Sequence, residues 1–326
     1  AGVLKNFRIE RISSVFPTTT SAAIVALRSG QTTQEHGIYE WITYSRDLNM
    51  NIHPLPFRPV DETDNTRFLK NASEKHIAHK SILKELSKIG VTTYESVPEE
   101  ISNSVITNMA KADVKVPYSN IPELFAKLRN AIKNSPKSAF FYVYLPHYDT
   151  SEHKQGLLSD ESVAIVETIF NRLDKEVLTK TKNIQMFITA DHGCLEVKKE
   201  IRIESKKWFL KEIRPNLEVV NRRIIMPTGG GRDLFLHIKK SKVDEVVRTL
   251  EKKLKGNAKI FKVSDLIDQG FFGKGNPSKR FLDNIGNVLI LPEKGILVTY
   301  NNPEPFAGMH GGLTDDELYV PFLTLK

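Results

Sequence analysis

Two apolar segments decide the fold: AFFYVYL at residues 139–145 and IQMFIT at residues 184–189. Both are short apolar runs of the length that buried strands have, and we predict a strand in each. Polar residues follow each run directly: a predicted loop with His147 and Asp149 after the first, and Asp191, His192 and Gly193 after the second. Histidine and aspartate side chains therefore follow both predicted strands directly at their carboxyl ends.

A helix is predicted between these two strands. Ser159, followed by Asp160 and Glu161, has the pattern of a helix N-cap with acidic residues in the first turn. Apolar residues then recur on one helical face: Val163, Val166, Phe170, Leu173 and Val177. The order strand, helix, strand favours a right-handed crossover between parallel strands, and ligands of such sheets lie beyond the carboxyl ends of the strands. We therefore expect an α/β fold, with a doubly wound, mostly parallel sheet flanked by helices.

The rest of the chain divides into two predicted parts. Residues 1–194 and 306–326 would form the core that contains the sheet, with amphipathic helices at 74–89 and 121–132 packed against it. Residues 195–305 would form a smaller, inserted α+β subdomain. Its predicted elements are the strands 234–238, 259–263, 288–291 and 296–300 and the helix 243–254.

Composition excludes several classes of protein. Hydrophobic residues make up 40% and charged residues 26% of the 326, and no apolar run approaches the about 20 residues of a membrane helix, so we expect a globular protein without a membrane anchor. The net charge of +8 would suit a polyanion, but the basic residues are scattered over predicted helical faces, and a nucleic-acid partner is not favoured. The single Cys194 excludes an internal disulfide and favours a reducing, cytoplasmic location. The sequence does not indicate an oligomeric state.

The segment from Ser14 to Thr20 enters a predicted buried helix. A hydroxyl at such an entry meets free backbone N–H groups and the positive end of the helix dipole, which suits a phosphate. A threonine at this place is also a common helix cap, and the segment alone favours that simpler interpretation. Three adjacent threonines do not by themselves identify a nucleophile.

Three further clusters have the residue types of metal ligands. Asp149 and His153 are spaced so that both side chains turn toward one ion, and Asp191 and His192 are adjacent ligands at a strand end. His310 precedes a final helix, for which Thr314 and Glu317 form a capping box. Taken singly, each of the first two clusters is equally well explained as a polar surface loop or a helix cap, and His310 alone is more often an ordinary loop histidine.

Taken together and in this order, the clusters resemble the metal-binding scaffold of the alkaline phosphatase superfamily. The stretch SVFPTTTSAAIVALRSGQTTQEHG at residues 14–37 is similar to the nucleophile segment of nucleotide pyrophosphatases/phosphodiesterases. The resemblance runs from about Ser13 to the end of the chain. Its carboxyl half, with GGGR at 229–232 and GMHGG at 308–312, looks most like the compact microbial, PglZ-type members of that group.

The resemblance implies a mechanism and a set of site residues. It selects Thr20 as the nucleophile, with Thr19 as the second choice. It implies that Asp149, His153 and His310 hold one metal ion, while Asp191, His192 and Thr20 hold another. Histidine and carboxylate ligands favour zinc, with manganese as the alternative. The expected substrate is a small phosphodiester or a nucleotide.

One departure from the family pattern is visible. The family has an Asp-Gly pair at the end of a first strand, upstream of the nucleophile, and its carboxylate completes the second metal site. This sequence contains no Asp-Gly pair, and only twelve residues precede Ser13. We expect the first strand to be missing from this chain, which would leave an unpaired edge in the sheet.

Two other functions remain open at the level of sequence. A phosphomonoesterase or a phosphosugar mutase could use the same scaffold, and so could a catalytically idle metal-binding module of a nucleic-acid or defence system.

Three other residues are given minor roles. Arg232 could reach a phosphate or a substrate carboxylate, but a solvated place at the subdomain surface is favoured. His36 is expected to close the nucleophile segment, and His147 is expected near the metal ligands without binding an ion.

Overall fold

The structure is a computed structural model that describes residues 2–302 and 305–326. Its α-helices are numbered in chain order: Thr20–Ser29 (α1), Thr33–His36 (α2), Asn65–Asn71 (α3), Ile82–Lys88 (α4), Val105–Ala110 (α5), Ile121–Asn134 (α6), His147–Gln155 (α7), Asp160–Leu173 (α8), Val243–Lys253 (α9), Val263–Asp268 (α10), Lys279–Asn284 (α11) and Asp315–Leu318 (α12). No helix among the described residues has both the length and the apolar character needed to cross a membrane.

The strands are numbered in the same way: Phe7–Ser13 (β1), Thr43–Ser45 (β2), Met50–His53 (β3), Arg58–Pro59 (β4), Thr92–Ser96 (β5), Val114–Lys115 (β6), Ala139–Val143 (β7), Phe187–Thr189 (β8), Leu195–Glu196 (β9), Lys199–Arg202 (β10), Val219–Val220 (β11), Arg223–Ile224 (β12), Thr228–Gly229 (β13), Leu234–Leu236 (β14), Ala258–Lys262 (β15), Val288–Pro292 (β16), Ile296–Thr299 (β17), Gly308–Met309 (β18) and Tyr319–Leu325 (β19).

Two three-stranded sheets share one layer of helices. β5 pairs in parallel with β6 on one side and with β7 on the other. β19 lies between β1 and β8 and pairs antiparallel with both. Apolar residues of α6 and α8 pack in one hydrophobic cluster with residues of β7 and β8, including Phe141 and Ile188. The predicted strand, helix, strand unit is therefore present, and both of its strands lie over the same helices.

The facing edges of these two sheets are open. Among the described residues, β7 pairs only with β5, and β8 pairs only with β19. The sequence predicts buried strands here, but both strands are only half-buried, with Phe140 39% and Phe187 54% exposed. The difference follows from pairing, because a strand that lacks one neighbour leaves part of its side chains and backbone uncovered.

The region predicted to be a subdomain contains a sheet of its own. The antiparallel order is β13, β14, β16, β15, and α9 and α10 contact β15. The helix and the four strands predicted between residues 234 and 300 are all present, with ends that differ by one or two residues. The core against α9 contains Leu236, Val246, Leu250 and Ile290, none of which is more than 1% exposed. The division of the chain at residues 194 and 306 remains a prediction.

Two local predictions are wrong. Residues 74–89 form a 3₁₀ turn at Glu74–Ile77 and the separate helix α4, because Ala78 is extended and the Ser81 side chain caps a new helix by accepting from Lys84 N. The segment after β7 was predicted to be a loop, but it is α7, which begins at His147. Asp149 and His153 therefore lie one helical turn apart on a regular element.

Candidate metal centre and nucleophile

The three adjacent threonines at the start of α1 have different partners. Thr18 is fully buried, and its hydroxyl donates to the Gly312 carbonyl at 2.8 Å and accepts from Gly311 N at 3.1 Å. Thr19 is the N-cap of α1, with its side chain accepting from Ala22 N. Thr20 is half-buried, and its Oγ1 lies 3.0 Å from His192 Nε2. Among the three hydroxyls, the one of Thr20 faces the histidine and aspartate cluster.

Two ligand candidates lie on one face of α7. Asp149 and His153 are separated by four residues, which brings their side chains to the same side of a helix. Asp149 Oδ1 lies 3.3 Å from His153 Nε2. His153 Nδ1 is 2.8 Å from the carbonyl oxygen of Gly308, so the ring is held at its far end by β18.

Asp191, His192 and Gly193 follow β8 directly. His192 Nδ1 is 2.9 Å from the Gly193 carbonyl, and the Ser14 hydroxyl donates to the Asp191 carbonyl. Gly193 N donates to the Glu317 carbonyl at 2.8 Å, and a Cβ at Gly193 would collide with the backbone carbonyl of Asp316. The glycine therefore permits the segment that carries His192 to pack directly on α12.

His310 lies in the turn between β18 and α12. Its Nδ1 is 2.8 Å from the Thr18 carbonyl, and the residue is 7% exposed. The following Gly311 has φ 128°, a conformation that favours glycine, and it lies against Arg232 and Asp233. Thr314 and Glu317 form the predicted capping box of α12.

The imidazole Nε2 atoms and the carboxylates converge on one place. Asp149, His192 and His310 offer ligand atoms that all lie within 4.8 Å of one another. His310 Nε2 is 3.3 Å from His153 Nε2 and 3.6 Å from Asp149 Oδ1. Asp191 Oδ2 lies 3.4 Å from His192 Nε2. All six residues named from the sequence, including Thr20, are therefore joined in one connected cluster.

These residues fit divalent metal ions. Each of the three imidazoles has Nδ1 at a backbone carbonyl, which fixes the proton there and leaves Nε2 as a free donor atom facing the cluster. Asp149 Oδ1 is buried and accepts no hydrogen bond in the structure. A buried carboxylate oxygen without a hydrogen-bond donor, close to several imidazole nitrogens, is the donor set that zinc prefers.

The electrostatics agree with metal binding. Burial, together with the nearby His192 and His153 rings, holds the pKa of His310 well below its usual value. The ring is therefore neutral at physiological pH, as a metal ligand must be. Burial raises the pKa of Asp149, while His153 and His192 act in the opposite direction. A cation in the cluster would stabilise this carboxylate and remove the penalty of burying it.

Arg232 differs from its predicted place. It was expected at a surface, but it is fully buried, and its guanidinium forms a bidentate pair with Glu317, with two N–O distances of 2.9 Å. A pair of buried carboxyl groups was not predicted at all. Glu40 and Asp233 are both fully buried, and each faces the other. Their positions in the sequence are far apart, and neither lies in a recognisable motif.

Two histidines outside the cluster also have defined places. His36 is the last residue of α2 and is 2% exposed, and burial lowers its pKa to about 3. It therefore has the structural place that was expected. His147 begins α7, and its ring stacks on that of Tyr118 with centroids 5.9 Å apart.

The fold is shared with a nucleotide pyrophosphatase/phosphodiesterase and with a phosphonoacetate hydrolase. Murine ectonucleotide pyrophosphatase/phosphodiesterase 5 superposes with a TM-score of 0.69 at 15% identity, over 96% of this chain and 78% of that one. Phosphonoacetate hydrolase from Sinorhizobium meliloti, solved with phosphonoformate, superposes with a TM-score of 0.72 at 12% identity, over 100% and 83% of the two chains. These similarities confirm the expected α/β fold class.

The family is assigned from the sequence and not from the structural similarity. The profile of the type I phosphodiesterase/nucleotide pyrophosphatase family matches residues 4–313, and the chain belongs to this family. Curated protein sequences give no significant match. The resemblance inferred from the motifs is confirmed, and so is the expectation that the chain is a hydrolase of this type.

Proposed function

We propose that this chain hydrolyses a small phosphodiester or nucleotide pyrophosphate through a covalent intermediate on Thr20, with two divalent metal ions held by the surrounding ligands. One ion would be held by Asp149, His153 and His310, and the other by Asp191, His192 and Thr20. The observation that carries the proposal is the position of Thr20 Oγ1, at the amino end of α1 and 3.0 Å from His192 Nε2.

The contacts of the other two threonines support Thr20 as the nucleophile. The Thr18 hydroxyl is fully buried and makes two hydrogen bonds to the turn after His310, so it is not accessible to a substrate. The Thr19 hydroxyl caps α1. A nucleophile must have its oxygen accessible and next to the groups that activate it.

The proposed reaction has two displacement steps. In the first, Thr20 Oγ1 loses its proton and attacks phosphorus, the bond to the leaving oxygen of the alcohol or phosphate breaks and that oxygen takes up a proton, and the phosphoryl or nucleotidyl group remains attached to threonine. In the second, a water oxygen attacks the same phosphorus, and the threonine oxygen leaves and regains a proton. Bound divalent ions would neutralise phosphate charge and lower the pKa of the attacking hydroxyl. The amino end of α1 adds a positive dipole end where the negative charge lies.

A nucleotide is the substrate class that we favour. An inactive variant of murine ectonucleotide pyrophosphatase/phosphodiesterase 5 was solved in complex with AMP, at 14% identity to this chain and a TM-score of 0.69. By analogy, we propose that this chain releases a nucleoside monophosphate. Zinc is the proposed metal, because three imidazoles and two carboxylates supply the ligands, and manganese is the alternative.

The test compares a chromogenic nucleotide diester, p-nitrophenyl thymidine 5′-phosphate, with p-nitrophenyl phosphate and phosphonoacetate. Each substrate is offered with added zinc or manganese. Residues 1–326 are assayed beside a version extended upstream of Ala1, to test whether the Asp-Gly ligand of the family pattern is needed. We expect metal-dependent turnover that favours the diester.

Three variants assign the nucleophile. Thr20→Ala should lower kcat by roughly 10³-fold or more, because covalent catalysis is lost. Thr20→Ser keeps a hydroxyl and should retain measurable turnover. Thr19→Ala should cost about 1 kcal/mol of stability through loss of the cap while turnover persists. Metal binding without turnover of any substrate in either version would reject the proposed threonine-based phosphodiesterase activity and favour the binding module.

A further inference from the structure

A buried ion pair lies directly behind the turn that carries His310. Arg232 and Glu317 are both fully buried, and Arg232 Nε and Nη2 donate to the two carboxylate oxygens of Glu317 at 2.9 Å each. Arg232 Nη1 donates to three backbone carbonyls, those of Pro292, Glu293 and Ile296, at 2.7–3.1 Å. The arginine therefore anchors the carboxylate of Glu317 to the edge of β16 and β17.

The Glu317 carboxylate also binds the segment that follows His310. Its Oε1 accepts from Gly312 N at 2.8 Å, and its Oε2 accepts from the Thr314 hydroxyl at 2.7 Å. A Cβ at Gly312 would lie 2.7–2.9 Å from the carboxylate and from Arg232 Nη2, so the turn is in close contact with the pair. The backbone two residues after His310 is thus held by a charge-assisted hydrogen bond.

The opposite side of the same turn is held by the nucleophile segment. Thr18 contacts Gly311 N, Gly312 O and His310 Nδ1 through its hydroxyl and its carbonyl. The turn therefore lies between two fixed partners. Thr18 is close to the nucleophile, and the Arg232–Glu317 pair belongs to the predicted smaller subdomain and to α12.

We propose that Arg232 and Glu317 are positioning residues that hold His310 Nε2 in the geometry needed to bind metal. The inference deepens the proposed function and rests on it for the identity of the ligand. In this arrangement, Glu317 acts through Gly312, and Arg232 acts through Glu317. Neither residue touches the metal or the substrate.

If the Arg232–Glu317 pair served only to stabilise the fold, zinc affinity would recover whenever stability recovers. Replacing a buried ion pair by apolar residues of similar size is often neutral or stabilising, whereas removing one partner leaves a buried charge and costs about 3–5 kcal/mol. An apolar pair would fill the same space, but it cannot accept the hydrogen bond of Gly312 N. Stability and metal affinity should therefore separate in a double variant.

The experiment uses Arg232→Met, Glu317→Leu and the double variant Arg232→Met/Glu317→Leu. Each single variant should be strongly destabilised, and the double variant should recover the part of that loss that comes from the unpaired buried charge, while the Gly312 N–H remains without its acceptor. Zinc affinity, measured by competition with a chromogenic chelator, should remain roughly 10- to 100-fold lower in the double variant, because supporting hydrogen bonds of metal ligands contribute that much.

A second buried pair supplies the matched control. Arg28 and Glu95 are 3% and 1% exposed and form an ion pair at 2.7 Å, and Arg28 lies two turns along α1 from Thr20. Arg28→Met/Glu95→Leu should alter stability in a similar way and leave zinc affinity unchanged. Equal loss of affinity in both double variants would show a general packing effect and overturn the proposal.

A metal-free measurement separates this inference from the proposed function. Nitrogen-15 NMR of labelled histidine reports which ring nitrogen of His310 carries the proton. The wild-type protein should show the Nδ1–H form, and the Arg232→Met/Glu317→Leu variant should show a mixture of forms. If the wild type binds no zinc, the proposed metal centre is rejected. The positioning role is then judged from the His310 spectra of the wild type and the double variant alone. An unchanged His310 spectrum together with unchanged affinity would overturn it.

Discussion

Thr18→Val tests how much the buried hydroxyl of Thr18 contributes to holding the turn after His310. Valine has nearly the shape of threonine, so the change removes hydrogen bonds and leaves packing almost intact. The hydroxyl of Thr18 makes two such bonds, to Gly312 O at 2.8 Å and from Gly311 N at 3.1 Å. All three residues are buried, so water cannot replace the lost partner.

The magnitude follows from the two groups that lose their partner. A buried backbone N–H or C=O without a hydrogen bond costs about 1–3 kcal/mol, so Thr18→Val should lower the free energy of unfolding by roughly 2–6 kcal/mol. The His310 Nδ1 bond goes to the backbone carbonyl of Thr18, which the substitution keeps. Zinc affinity should therefore fall because the turn is less well held, and it should not be abolished.

Thr93→Val is the matched control for this prediction. Thr93 is also fully buried, and its hydroxyl donates to Asp113 Oδ2 at 2.9 Å and accepts from Asp113 N at 3.0 Å. Asp113 is exposed, so water can take the place of the hydroxyl, and the control should cost only about 1 kcal/mol. Urea unfolding with and without zinc measures both. If Thr18→Val costs no more than Thr93→Val, and zinc affinity is unchanged, the reasoning about the turn is refuted.

Three further predictions concern pH, packing and metal. Burial raises the pKa of Asp233 from 3.8 to about 7, so the folded state holds a proton that the unfolded state releases, and this contribution to stability is lost as pH rises through that interval. Asp233→Asn should therefore gain stability relative to wild type between about pH 4 and pH 7, as followed by urea unfolding. Gly193→Ala should destabilise the protein by more than about 3 kcal/mol, because the new methyl group meets the Asp316 carbonyl and the backbone must move; near-wild-type thermal stability would contradict this. Zinc at 100 times its dissociation constant should stabilise the wild type by about 2.7 kcal/mol, and Asp149→Asn should lose most of that gain in thermal scans.

Local signals were sufficient for much of the fold. The N-cap Ser159, the helix α8 after it and the capping box of Thr314 and Glu317 depend on residues that are close in sequence, and each is present where it was predicted. The break between Glu74–Ile77 and α4 was missed because the apolar spacing continues through it. The Ser81 cap competes with helix continuation there, and periodicity does not record that competition.

The ligand types could be predicted because metal ligands belong to a small set of side chains placed at strand ends. The structure joins the six named residues in one cluster, although their roles as ligands and nucleophile remain predictions. The sequence could not reveal what holds them in place. Arg232 was expected at a surface because a basic residue after three glycines is usually solvated, yet its partner Glu317 lies 85 residues further along the chain.

The supporting contacts have a physical feature in common. Thr18, Gly193 and Glu317 each act on a proposed metal-ligand segment through backbone groups. The contacts of Thr18 and Gly193 reach a distant part of the chain, and Glu317, five residues from Gly312, is itself anchored by the distant Arg232. Nearly every residue type has the same backbone N–H and carbonyl groups. The identity of a residue therefore does not reveal whether a distant side chain or backbone binds its backbone. A sequence motif can therefore identify the residues that would react or bind metal. How precisely those residues are positioned depends on contacts that form only in the folded protein. Loss of these contacts should therefore lower metal affinity in proteins whose motifs are entirely intact.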